Sequence, residues 1–240
     1  MTAIIILTVV CSVTFTFEIV FGLAGTIMML MVMTLFYDAK TLVIYSVLPQ
    51  VLTASIGLYR SPKTVKSDFL LKMLAFGSLG GIAGITLFYQ FRSQTFYLLL
   101  TSAISLFGLF LVVSPQKITL NHFTQRSLDV IAGISQALFG ISGPIAMTRL
   151  LGSFDDKLVI RNYALAFFLG MNIFRAIGYL YKSTFSPEIL EMMLYSAPVL
   201  AIVLWNANHL HIHVNERLFR KVVSWIIFLG GLTLLIRNPY

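Results

Sequence analysis

The chain has 240 residues, 58% hydrophobic and only 11% charged, with 17 Lys and Arg against 9 Asp and Glu for a net charge of +8. A soluble globular domain carries about 25% charged residues, so this composition excludes one and indicates an integral membrane protein. The apolar segments are too long and too evenly apolar for barrel strands, which leaves an all-α membrane protein.

The N-terminal run MTAIIILTVV lacks the basic region of a cleaved signal peptide and reads as a membrane segment. Cys11 is the single cysteine, so no intrachain disulfide forms. Preceded by Val10, it does not read as a lipid-attachment site. Apolar stretches follow at 3–37, 41–59, 68–90, 95–114, 127–153, 158–181, 188–207 and 217–236. No loop between them is long enough for a soluble domain. The basic residues fall mostly in those loops, where they act as orientation signals. No DNA- or RNA-binding motif is present, so nucleic acid is not expected as a partner.

The first stretch contains FGLAGTIMML at 21–30, a glycine break at membrane depth, with Glu18 four residues before Gly22. In the second stretch Pro49 should kink the helix, and Gln50, Thr53 and Ser55 follow it as possible donors. The fifth stretch holds the strongest helix-breaking cluster of the chain, LFGISGPIAM at 138–147, with Gln136 four residues before Gly140. Glycine permits a sharp turn, and Pro144 suits the first turn of a following helix. Unwound backbone is tolerated at membrane depth only inside protein or along a cavity. Paired breaks in two halves point to a transporter site, although glycines also let helices pack closely. Free N–H groups at Thr26–Met28 and Pro144–Met147 would favour an anion.

The sixth stretch carries Arg175 within FLGMNIFRAIGYLY, with Asn172 on the same helical face. A cation inside a membrane segment faces the bundle interior as a rule. Three roles are open for it: contact with an anionic ligand, pairing with Glu18, or snorkelling toward Lys182. Glu18 is a candidate proton carrier, because burial favours the neutral form of a carboxyl; equally it is a static partner for Arg175. His209, His211 and His213 alternate around a helix axis without an accompanying Cys or carboxylate cluster, so they read as a solvated loop rather than a metal site. No phosphate-binding loop, nucleophile elbow, zinc-protease helix or haem motif occurs, and neither enzyme chemistry nor a cofactor is expected.

The two halves repeat. FGLAGTIMML matches FGISGPIAMT, FYDAK matches FDDK, and FYLLLTSAISLFGLFLV at 96–112 matches FRKVVSWIIFLGGLTLL at 219–235, with Gly108 opposite Gly231. The expected repeats are 1–118 and 119–240. Eight serial crossings would split the loop cations evenly, which violates the cytoplasmic excess. If 3–37 and 127–153 are instead hairpins that enter and leave on one side, twelve cations share a side: Arg60, Lys63, Lys66, Lys72, Lys117, Arg126, Arg149, Lys157, Arg161, Arg217, Arg220 and Lys221. Lys40, Arg92, Lys182 and Arg237 take the other. The predicted architecture is two inverted halves, each a broken-helix hairpin plus three transmembrane helices. Arms at 128–141 and 144–154 would be about 21 Å and about 16 Å long, too short for a core of roughly 30 Å.

These features together resemble the TauE/SafE family of sulfite exporters, through the duplicated halves, the FGLAG and FGISGP tips and the G-x-x-x-L-L ending of each half. The first tip carries Thr26 and Met28 where that family tends to have Gly and Pro. The resemblance implies a multi-pass permease of the cell (inner) membrane, moving a small anion such as sulfite or an organosulfur compound, with a proton as a possible coupling ion and a homodimer as a possible assembly. The expected substrate site is Gly22, Gly25, Thr26, Gly140, Ser142, Gly143, Pro144, Asn172 and Arg175, with Glu18 and Gln136 as coupling candidates. A non-transporting membrane scaffold that keeps the fold is the alternative.

Overall fold

A computed structural model describes residues 2–21, 24–59, 65–113, 120–207 and 216–237. Gly22, Arg60, Lys63, Lys117 and His209, His211 and His213 lie outside them. The described residues form helices and short connections, with no strand among them. In chain order these are α1 (Thr2–Phe21), α2 (Gly25–Met33), α3 (Ala39–Tyr45), α4 (Val47–Tyr59), α5 (Ser67–Gln90), α6 (Ser93–Val113), α7 (His122–Phe139), α8 (Gly143–Leu151), α9 (Lys157–Tyr181), α10 (Pro187–Ala207) and α11 (Glu216–Arg237). Five segments are long and apolar enough to cross a bilayer: Ala39–Tyr59, α5, α6, α9 and α10.

Both expected breaks are present, one between α1 and α2 and one between α7 and α8. Each follows a long helix and precedes a short one of nine residues. The arm before the second break differs from the sequence expectation. It begins at His122 rather than 128, because Asn121 Oδ1 accepts the Thr124 N–H at 2.8 Å and caps the helix ahead of its apolar stretch. At 18 residues α7 is about 27 Å long, close to the core thickness, whereas α8 reaches only about 14 Å. The kink expected at Pro49 appears at Ser46, between α3 and α4. Proline disturbs the carbonyl four residues earlier, here that of Tyr45, so the break falls one turn before the ring.

The helices pack in a recurring set of pairs: α5 on α7 and α9, α10 on α1 and α4, α4 on α9, and α6 on α11. In the α5–α7 pair the backbones touch. A Cβ on Gly133 would lie 1.9 Å from the Gly77 carbonyl oxygen, and one on Gly80 would lie 2.0 Å from that of Val130. Gly108 of α6 stands similarly against Phe228 of α11. No glycine occurs in α1 or α10, and a groove of about 340 Å³ opens between them, lined by Ile4, Ile5, Thr8, Val9, Tyr195 and Val199.

Contacts at the helix ends group the loops. Lys40 Nζ donates to the Phe91 carbonyl at 2.5 Å, and Tyr89 hydrogen-bonds Thr184. Elsewhere the Lys66 N–H donates to Tyr163 Oη at 2.8 Å, and Phe154 stacks on Tyr163 with Phe69 edge-on to both.

The glycine contact gives a direct test. Gly133→Val should destabilise the protein by at least the 1–3 kcal/mol typical of overpacking, about the upper end or beyond because the obstruction is backbone. Gly143→Ala, with nothing within 4 Å of its added carbon, should leave the thermal midpoint of the detergent-purified protein unchanged. Equal midpoints for the two variants would contradict the packing.

Candidate functional site

The second break is built from its own turn outward. Gly140 adopts a left-handed conformation with φ 73°, which glycine alone adopts at little cost. Its N–H donates to the Gln136 carbonyl at 2.9 Å, and Ser135 Oγ donates to the Ile141 carbonyl. Ser142 stands at the N-cap position of α8 but does not cap it. Its hydroxyl instead donates to Gln136 Oε1 at 2.7 Å. The first turn of α8 therefore has no side-chain cap.

Gln50 of α4 ties this break to the opposite side of the bundle. Its Nε2 donates to the Gly140 carbonyl at 2.9 Å. Its Oε1 accepts from Gln136 Nε2 at 2.6 Å and from Asn172 Nδ2 at 2.7 Å. Asn172 Oδ1 in turn accepts from Arg175 Nη1 at 2.8 Å. A chain of donors thus runs from Arg175 through Asn172 and Gln50 to the carbonyl at the break.

Arg175 is fully buried. Its Nη2 donates to the Val43 carbonyl at 2.8 Å, with Ser46 Oγ and Tyr179 Oη at 3.4 Å, while Nε has no hydrogen-bond partner. These partners are neutral, so the guanidinium charge is solvated by dipoles and not cancelled. In a low-dielectric interior such a charge projects a strong positive potential. Its direction is toward the break: a Cβ on Gly140 would lie 3.2 Å from both Nη atoms. Snorkelling is excluded by the burial.

The first break carries an acidic side chain. Ala24 precedes α2 in a left-handed conformation with φ 78°. Glu18 folds back from α1, and its Oε2 accepts the Thr26 N–H at 3.0 Å with Thr26 Oγ1 at 3.5 Å. The carboxylate needs Gly25 beside it, where a Cβ would lie 2.5 Å from Oε2. The pairing of Glu18 with Arg175 is thus not the arrangement found: Glu18 holds α2 and Arg175 stands behind Gly140.

The two breaks meet at one cavity of about 30 Å³, room for about two waters. It is lined from the first break by Glu18, Ala24, Thr26 and Ile27, from the second by Gln136 and residues 140–144, and by Gln50 and Phe168. Of the expected site residues, Thr26, Gly140, Ser142, Gly143 and Pro144 line it, as do Glu18 and Gln136. Gly25 lies under the Glu18 carboxylate, and Asn172 and Arg175 form the layer behind. Ser55 is exposed, and Thr53 is buried with no partner for its hydroxyl.

One ion pair escaped the sequence reading. Arg149 was expected among solvated loop cations; it is 6% exposed, its Nε lies 3.2 Å from Asp129 Oδ1, and its guanidinium covers the Phe69 ring at 4.9 Å. The pair links α7 to α8 across the base of the second break. The available signal was Asp129 itself, seven residues before Gln136 and so on the same face of α7.

A family model described as Sulfite exporter TauE/SafE matches residues 6–234, and the chain belongs to that family. No curated protein and no solved structure matches it.

The geometry of Arg175 sets an expectation for stability. Arg175→Ala removes the charged donor from the Val43 carbonyl and from Asn172 Oδ1, leaving them only Ser46 Oγ and Gln136 Nε2 as donors, and should cost about 1.5–3 kcal/mol. Adding Glu18→Gln should not recover that loss, read as the thermal midpoint in detergent. Recovery in the double variant would mean that the two side chains neutralise one another.

Proposed function

We propose that this member of the sulfite exporter TauE/SafE family is a secondary permease of the cell membrane for a small anion, sulfite or an organosulfur compound, bound between the two helix breaks. The observation that carries the reading is the shared cavity: broken backbone from both halves lines one small space inside an apolar bundle, with an uncancelled guanidinium behind it. Unwound backbone at membrane depth belongs along a cavity. The uncapped first turn of α8 offers N–H groups to an anion, and the helix dipole and Arg175 add positive potential there. Gln136 and Ser142 supply amide and hydroxyl groups at the cavity wall. Arg175 acts through Asn172, Gln50 and the Gly140 turn, without touching the anion in this arrangement.

In this proposal residues 1–118 and 119–240 are inverted repeats. The packing pairs support it, because exchanging α1 with α7, α4 with α9, α5 with α10 and α6 with α11 converts the pairs named above into one another. The end contacts support the sidedness derived from charge. Lys40 meets Phe91 and Tyr89 meets Thr184 at the end of α5, while Lys66 and Phe154 meet at Tyr163. The second group lies with the basic loops and is assigned to the cytoplasm.

Two experiments test the reading. Single cysteines at the exposed positions Asp68, Asn121 and Asp155, in a Cys11→Ser background, should label from the cytoplasmic side only, and cysteines at Phe36, Arg92 and Lys182 from the other side only. Labelling of 121 and 155 from opposite sides would break the hairpin arrangement. In proteoliposomes with labelled sulfite, thiosulfate and methanesulfonate, Gly143→Val should cut transport at least about tenfold with an unchanged melting temperature, since its side chain enters open space in the cavity wall. Full transport by that variant would remove the site from the breaks.

A further inference from the structure

The two breaks differ by one charge. At the second, position 136 is a glutamine whose Oε1 accepts from Ser142. At the first, the corresponding position is Glu18, whose carboxylate already occupies the first turn of α2, where an incoming anion would otherwise find the Thr26 N–H. The chain holds a carboxylate in a cavity whose opposite wall is built for an anion.

We propose that Glu18 is a tethered competitor for the transported anion: ionised, it holds the Thr26 N–H and keeps the ligand out; protonated, it releases that N–H, so that one proton and one anion occupy the cavity together. This rests on the assignment of the anion site to the cavity between the breaks. The proton comes from solution and adds to a Glu18 carboxylate oxygen; no other bond is made or broken.

A carboxylate and a second anion in about 30 Å³ repel strongly in a low dielectric, and such pairs resolve by protonation of one member. Among the described residues no ion pair compensates Glu18. From α2 no ionisable side chain is available. From α4 the only one is Tyr59, exposed at the far end. From α10, Glu188 and Glu191 are exposed, and Tyr195 lies against the outer groove. From α7 and α8 the cavity receives Gln136 and Ser142, both neutral. Among the described residues the cations on this side of the bundle belong to α9: Arg161, whose Nη2 donates to the Ile19 carbonyl at 3.0 Å, and Arg175 beyond Gly140. Cys11 lies two turns away along α1, with the Tyr45 hydroxyl of α3 beside it.

Binding of methanesulfonate to the purified full chain tests this, because a sulfonate stays ionised across the range and any pH dependence belongs to the protein. Between pH 8 and 5.5 the wild-type affinity should rise, with a limiting slope of about tenfold per pH unit. Binding in weak buffer should take up about one proton per anion. Glu18→Gln should bind with one pH-independent affinity, take up no proton, and exchange sulfonate without accumulating it against a pH gradient. Thr26→Pro, which removes the N–H and recreates the Gly-Pro pair of the second break, should move the pH midpoint upward by about one unit. A slope and proton uptake that survive Glu18→Gln, or an unmoved midpoint in Thr26→Pro, would overturn the competitor role. Gly143→Val separates the two levels. If it abolishes binding while Glu18→Gln keeps its slope, the site stands and the competitor falls. If it binds normally, or if wild type binds neither methanesulfonate nor sulfite at any pH, the site itself falls.

Discussion

A helix that stops inside hydrocarbon strands its last carbonyls where no water can reach them. The hydrogen bond from Gln50 Nε2 to the Gly140 carbonyl answers that constraint, and much of the interior follows from it. Gln50 must come from a different helix, so α4 is fixed against the end of α7. Its other amide atom must then be satisfied as well, which brings in Gln136 and Asn172. Each added amide asks for a further partner, and the sequence of partners ends on Arg175. A buried polar network has to be complete to be stable, and of the side-chain atoms in this one only Arg175 Nε is left without a partner.

Arg175 shows how a full charge is kept at the centre of such a network. Burial of an ion is costly, and a carboxylate partner would only partly offset the desolvation. Here the guanidinium is satisfied by oxygen dipoles from Val43, Asn172, Ser46 and Tyr179. That arrangement stabilises the cation locally and leaves its long-range field intact. A salt bridge would have done the reverse. The two carboxylates buried nearby in the fold are both engaged elsewhere, Glu18 with Thr26 and Asp129 with Arg149.

The breaks were legible in the sequence because Gly140, Ser142, Gly143 and Pro144 serve no purpose in an uninterrupted apolar helix. Glu18 and Gln136 were legible from their equal offsets before each break. Side-chain partners were not. Arg149 sits three residues before a polar loop and looks solvated, yet α8 is so short that its last turn still packs against α7. Arg175 and Glu18 look like complementary charges in one apolar chain, but the turn at Gly140 stands between them and each finds closer backbone partners. The start of α7 is not written in the pattern, because the apolar stretch begins six residues after Asn121 and a cap depends on one polar side chain. The groove between α1 and α10 left no mark at all, since aliphatic residues that face a void and those that face a neighbour are the same residues.

The two long-arm seams also differ in how much change they can absorb. Where α5 lies on α7, the atoms that meet are peptide groups, and no side chain of any kind fits at Gly80 or Gly133. Where α1 lies on α10, aliphatic side chains border empty volume, and a larger residue at Val9 or Val199 simply fills it. Neutral drift is therefore closed along one seam and open along the other. Descendants of this chain would be recognisable by the glycine spacing of α5 and α7 long after the sequences of α1 and α10 had ceased to align.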